Sequence, residues 1–243
     1  VFEEFAEKYQ EDYLNIGICE ANMIGVSSGM AMNGFIPLVY TIVPFLTMRC
    51  YEQIRVDLAM HNQKVILIGV GGGLAYGSLG PTHHSFEDIV LMSMLPNFQV
   101  FAPSQPNEGK ACLDLALSHD GPSYIRLGKN GEPDLSQHLL SEQGGTKIYC
   151  NEPNTCDLLL FTYGPIALEC IKAANILAIS GLKISVCSIL QVKPLPDNAI
   201  QICSNQNHII AIEEHSTYHS VGSSLLKAIS LEGYGGKFKV FGI

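Results

Sequence analysis

Short apolar runs alternate with longer segments of helical spacing along almost the whole chain. VFEEFAEKYQ (1–10) predicts an amphipathic helix and YLNIGI (13–18) a short strand. Ala21–Asn33 reads as a helix of small residues, ended by Gly34. IPLVYTIV (36–43) is rich in β-branched residues and predicts a strand. Phe45–Met60 fits a helix with Phe45, Met48, Ile54, Ala59 and Met60 among its apolar positions. KVILIGVG (64–71) is a continuous apolar run, the pattern of a buried parallel strand. A glycine-rich loop, GGGLAYGSLGPTHHS (71–85), comes next, followed by a helix (86–95), a strand (98–103), a helix (107–119) and a strand (122–128).

Residues 131–145 break the alternation with a polar stretch containing Gly and Pro, which predicts a linker. The alternation then restarts: strand 156–164, helix 165–181, strand 182–190, loop and helix 194–206, strand 208–215, helix 220–234 and a last strand 237–243. Two consecutive α/β domains with mainly parallel sheets follow from this pattern, residues 1–130 and 146–243.

Composition narrows the function classes. The chain has 243 residues, 47% of them hydrophobic and only 15% charged, which suits a well-packed protein with much surface hidden in subunit contacts. The formal net charge of −9, with no basic cluster, argues against nucleic acid as a partner. No apolar run reaches the ~18 residues that a membrane span requires. The eight cysteines show no CxxC and no zinc-ligand spacing with His, so they read as reduced core residues of a cytoplasmic protein, with no metal site. No signal peptide is recognisable at the start. The chain opens on VFEEFAEKY without Met and closes on a strand-like KVFGI, which reads as a piece of a longer chain.

Few residues stand out as candidates for chemistry. Glu20 sits where strand-like sequence gives way to helix, and an acid there ordinarily complements the helix dipole. His83 and His84 close the glycine-rich loop just before a helix that Ser85 could cap. Glycines after an apolar strand hint weakly at phosphate, but their spacing is neither GxGxxG nor Walker-like. Phe45 at a helix head is, taken alone, a core residue.

The order of the segments says more. GICEANMIGVSSGMA, GFIPLVYTIVPFLTMRCYEQIR, GPTHH, LPNFQVFAPSQPNE and GPSYIRLGK, followed by TYGPIALECIKAANIL and IIAIEEHSTYHSVGSSL, resemble the transketolase family. The likeness is to the pyrimidine-binding and C-terminal domains of transketolases and 1-deoxyxylulose-5-phosphate synthases, and it spans essentially the whole chain. It implies two three-layer α/β/α domains and a thiamine diphosphate-dependent transferase that moves a two-carbon unit between ketose donors and aldehyde acceptors. In that family the acid matching Glu20 faces N1′ of the cofactor's aminopyrimidine ring and activates it. The aromatic matching Phe45 stacks on that ring. The histidine matching His83 points into the substrate channel, where an imidazole can stabilise an oxyanion or move a proton.

The resemblance also exposes departures. His84 stands where the family has Gln, Leu79 where members often have Asp, and Gly71–Gly73 where transketolases carry a His. Ile42 and Met48 stand where further aromatics are common. Lys129 takes the place of a phosphate-binding Arg, while Arg126 remains; both, with His83 and His84, are the expected substrate-binding residues. These changes set the chain apart from the usual pentose-phosphate pattern. They leave open a synthase-type or other 2-oxo acid decarboxylating carboligase, or a non-catalytic subunit that keeps the fold. The family's Mg²⁺-binding GDG…N motif is missing. The resemblance therefore implies that Mg²⁺ and the cofactor diphosphate are held elsewhere. The holder is an upstream domain or a separate polypeptide, as in split transketolases, in a homo- or hetero-oligomer.

Overall fold

The apolar run around Ile66 becomes the middle of a sheet. In the computed structural model, which describes residues 3–243, β2 (Ile66–Val70) lies between β1 (Leu38–Ile42) and β4 (Ser123–Leu127) and is parallel to both. β3 (Gln99–Phe101) joins the far side of β4, and β9 (Gln191–Lys193), from the second half of the chain, pairs antiparallel with β3. The second sheet has the order β11 (Lys237–Phe241), β10 (His208–Ile212), β7 (Leu158–Thr162), β8 (Ile184–Ile189), β6 (Thr146–Tyr149), β5 (Leu139–Gln143). Its first four strands are parallel and its last two antiparallel. The helices are α1 (Glu3–Lys8), α2 (Glu20–Met32), α3 (Val43–Thr47), α4 (Tyr51–Gln53), α5 (Asp88–Met94), α6 (Glu108–Ser118), α7 (Ala167–Ala178), α8 (Asp197–Ser204) and α9 (Val221–Leu231). This is the expected mixed α/β architecture with two mainly parallel sheets. No described helix is long and apolar enough to cross a membrane.

Four local expectations change. Residues 13–18 form no strand: Asn15 Oδ1 accepts the Gly17 N–H at 2.9 Å and turns the chain, and Ile18 is left 90% exposed. The helix expected over 45–60 is broken. α3 begins with Pro44 in its first turn, and the N–H groups of both Met48 and Arg49 converge on the Pro44 carbonyl. Residues 48–50 turn, α4 restarts the helix, and Ile54–Met60 continues it with π-helical bonding. Ser28 Oγ on α2 donates to the Asp57 carbonyl in that wider stretch. The polar stretch read as a linker carries β5, which turns through Gly144 and Gly145, both at positive φ, into β6. Ser85 does not cap α5; its hydroxyl donates to Asp88 Oδ1 at 2.9 Å. The helix expected over 1–10 is present as α1, and Val1 and Phe2 lie outside the described residues.

The two halves share one apolar cluster, in which Phe98 and Val100 of the first meet Ile189 and Val192 of the second. Polar contacts pin the same seam. Ser216 N–H donates to the Phe86 carbonyl, Ala102 N–H to the Leu190 carbonyl, and Lys147 Nζ pairs with Glu108 at 2.9 Å. The most deeply buried pin is Arg126, held within the first half by Asp88, which is fully buried and accepts from Ser85 Oγ, Tyr124 Oη (2.8 Å) and Arg126 Nε (3.0 Å). Arg126 Nη2 also donates to the carbonyls of Ser85 (3.4 Å) and, across the seam, Glu214 (3.0 Å). Burial works against the guanidinium's charge, but Asp88 and the surrounding phenols and carboxylate more than offset this and hold its pKa above the ordinary arginine value.

Removing one member of such a pair strands the other. Arg126→Met is expected to destabilise the chain by about 3–5 kcal/mol, and Asp88→Asn added to it to recover part of the loss. Urea unfolding of the two variants checks this; a loss below about 1 kcal/mol for Arg126→Met would contradict it.

Candidate functional site

The head of α2 and the broken helix after β1 bring the candidate site together. α2 packs inward through Ile24, Ser27 and Ser28, all buried, while Gly25 and Gly29 lie on its exposed face. Glu20 opens the helix and is 8% exposed. Its carboxylate makes no capping bond there. It accepts from Arg49 Nη1 at 2.8 Å, and Arg49 reaches it because the chain turns at 48–50.

The same guanidinium lies over the Phe45 ring, 4.4 Å from its centroid. The other side of the arrangement is built by the glycine-rich loop. His83 meets Phe45 edge-on with ring centroids 5.2 Å apart, and Tyr76 edge-on at 5.9 Å. Lys129 Nζ sits 5.3 Å from the Tyr76 ring. One continuous string therefore runs Glu20–Arg49–Phe45–His83–Tyr76–Lys129. His83 Nδ1 shares a hydrogen bond with Thr82 Oγ1 at 2.9 Å, and Nε2 has no protein partner among the described residues. Cys50, directly behind, is an inert thiol: burial first and then the Glu20 charge push its pKa up to about 11.

The loop that presents His83 is closed by a bridge between Gly73 and Ser85. Gly71, at φ 85°, leaves room for the Tyr76 ring, which any side chain at 71 would strike. His84 Nε2 bonds the Gly77 carbonyl at 3.1 Å and its ring leans on Phe86, so it ties the loop to itself. Leu79 is exposed on the short turn Gly77–Leu79.

Of the residues singled out in the sequence, Glu20, Phe45, His83 and Lys129 are thus joined through neighbours, and His84 supports the loop. Arg126 lies apart from this string. It is 3% exposed, its Nε is held by Asp88 and its Nη2 by the Ser85 and Glu214 carbonyls, which makes it a clasp between the halves. Sequence reasoning missed Arg49 and Tyr76. The one available signal for Arg49 was its position four residues after Phe45, helical spacing that brings side chains together; Tyr76 had none.

The residues fit an aminopyrimidine ring. A flat cation already lies in the space such a ring would take, with one edge at a sheltered carboxylate and a face on an aromatic side chain. They do not supply a metal site: no group of three or more His, Cys, Asp or Glu side chains gathers to hold an ion among the described residues.

Residues 1–132 match the transketolase pyrimidine binding domain and residues 150–241 the transketolase C-terminal domain. The chain is 32% identical to one subunit of the apulose-4-phosphate transketolase of Actinobacillus succinogenes, over 94% of this chain and 73% of that protein. It is also 32% identical to 1-deoxy-D-xylulose-5-phosphate synthase 1 of Geobacter sulfurreducens, over 96% of this chain but only 36% of that one. A solved split-gene transketolase, an inactive β4 tetramer, superposes with a TM-score of 0.85 at 28% identity, covering 99% of this chain and 77% of that one. The chain belongs to the transketolase family and carries its pyrimidine-binding and C-terminal domains.

Proposed function

We propose that this chain is one half of a thiamine diphosphate-dependent, transketolase-type transferase, and that the diphosphate and its Mg²⁺ are held by a partner subunit or an upstream domain. The observation that carries the reading is Arg49, which bridges Glu20 and Phe45 as a planar stand-in for a heteroaromatic ring. The likeness to the apulose-4-phosphate transketolase protein supports the partner, since that relative is named as a subunit and not as a whole enzyme.

When bound, thiamine diphosphate supplies a carbon nucleophile and an electron sink. The rest is the work of this chain's side chains. Phe45 orients the ring by its face. Glu20, sheltered at the head of α2, holds or gives up a proton at the ring nitrogen it faces. Arg49, whose side chain is 47% exposed, moves outward to release both residues. His83 offers its unpartnered Nε2 to the donor and acceptor hydroxyls or to an oxyanion. Lys129, exposed at the end of the string, meets an acidic group on the substrate as a point charge.

The equal identity to a 1-deoxy-D-xylulose-5-phosphate synthase favours one second reading, in which a 2-oxo acid is the donor. Donors separate the two: release of CO₂ from pyruvate, against transfer from a ketose without it.

Two outcomes test the reading. In the complete assembly Glu20→Gln is expected to lower turnover by about 10²-fold or more while leaving the fold and subunit association unchanged. Full activity in that variant would leave a non-catalytic subunit as the better account. Cofactor affinity, measured by fluorescence quenching, is expected to move in opposite directions in two other variants. Phe45→Ala weakens it by about tenfold through the lost stacking partner, and Arg49→Met strengthens it roughly 3–10-fold by removing the competing cation. A weaker cofactor affinity in Arg49→Met would contradict the stand-in role.

A further inference from the structure

The loop that bears His83 belongs to the first half of the chain, but its neck is held by the second. Glu214 follows β10, and its Oε1 accepts the Leu74 N–H at 3.0 Å. Leu74 is the first residue past the Gly73–Ser85 bridge, so this bond falls where the loop leaves the sheet. The fit is close. A Cβ on Gly73, which adopts φ 64°, would run into the Glu214 carboxyl. The Glu214 main chain is fixed as well, because its carbonyl accepts from Arg126 Nη2, the group that also reaches the Ser85 carbonyl. Both sides of the neck are therefore referenced to one residue of the second half. Its neighbour Glu213 is spent differently. It accepts the N–H groups of Val221 and Gly222 at the start of α9 and the Tyr163 hydroxyl, leaving Glu214 as the acid of this pair that faces the loop.

We infer that Glu214 is a positioning residue: its carboxylate fixes the neck of the His83 loop, so the second half sets where the imidazole stands relative to Phe45. The catalytic consequence rests on the function proposed above, whereas the mechanical claim does not. Glu20 and Phe45 lie outside the loop, so the residues for the cofactor ring are independent of the clamp.

Hydrogen–deuterium exchange on the full chain in its assembly, read peptide by peptide, tests the mechanical claim in Glu214→Ala and Glu214→Gln. Glu214→Ala is expected to speed exchange over residues 74–84 at least tenfold, leaving α2 and the melting temperature near those of the parent. Glu214→Gln keeps an acceptor oxygen and is expected to restore most of the protection. In turnover, Glu214→Ala is expected to lower kcat about tenfold with cofactor affinity unchanged. Unchanged loop exchange in Glu214→Ala would overturn the clamp, and faster exchange with an unaltered kcat would overturn its catalytic role. A parent assembly that turns over no donor refutes the proposed function instead, and the exchange result still decides the clamp.

Discussion

The buried pair of Asp88 and Arg126 is the contact on which the rest of the molecule depends. An uncompensated charge in a seam this dry would be expensive, and each partner is satisfied only because elements distant in sequence meet there. Tyr124 and Arg126 come from the same strand, Ser85 from the end of the loop, and Glu214 from the other half of the chain. The pair thereby couples three things: the docking of the two domains, the start of α5 and the closure of the glycine-rich loop. Burial first, and then the Asp88 charge, raise the Tyr124 phenol well above its usual pKa, so it stays a neutral donor in this network.

On that support the candidate site is arranged by a helix that fails to continue. Helical spacing puts Arg49 beside Phe45. The convergence of two N–H groups on the Pro44 carbonyl and the turn at 48–50 accompany its second contact, with Glu20. Ser28 of α2 stitches the widened segment to that helix. A sheltered acid beside an aromatic face is useful chemistry only if something flat can enter. In this structure the planar guanidinium of Arg49 fills that place.

Much of the architecture was legible in sequence because strong local periodicity and burial agreed. The run at 64–71 and most of the strand–helix alternation on either side of residues 131–145 folded as their patterns imply. The misses share a cause: local sequence could not reveal partners. Residues 13–18 carry apolar side chains but have no strand to pair with, so the Asn15–Gly17 turn prevails. The polar residues of β5 look like a linker because the strand sits at a sheet edge, where exposed positions tolerate charge. Arg126 looked like a free cation because Asp88 lies 38 residues away. The site was half legible. Glu20, Phe45 and His83 stand out as candidates from ordered motifs, whereas Arg49, Tyr76 and Glu214 acquire meaning only once the loop and the second domain are in place.

On the proposed function, this chain supplies the pyrimidine side of a shared thiamine diphosphate site, and a partner subunit or upstream domain supplies the diphosphate side. Calorimetric titration of thiamine diphosphate with Mg²⁺ tests this most directly, first into this chain alone and then into its assembly with the half that carries a diphosphate-binding motif. No measurable heat is expected from the chain alone, and saturable, Mg²⁺-dependent binding is expected in the assembly. Tight binding by the isolated chain, or none in the complete assembly, would contradict it.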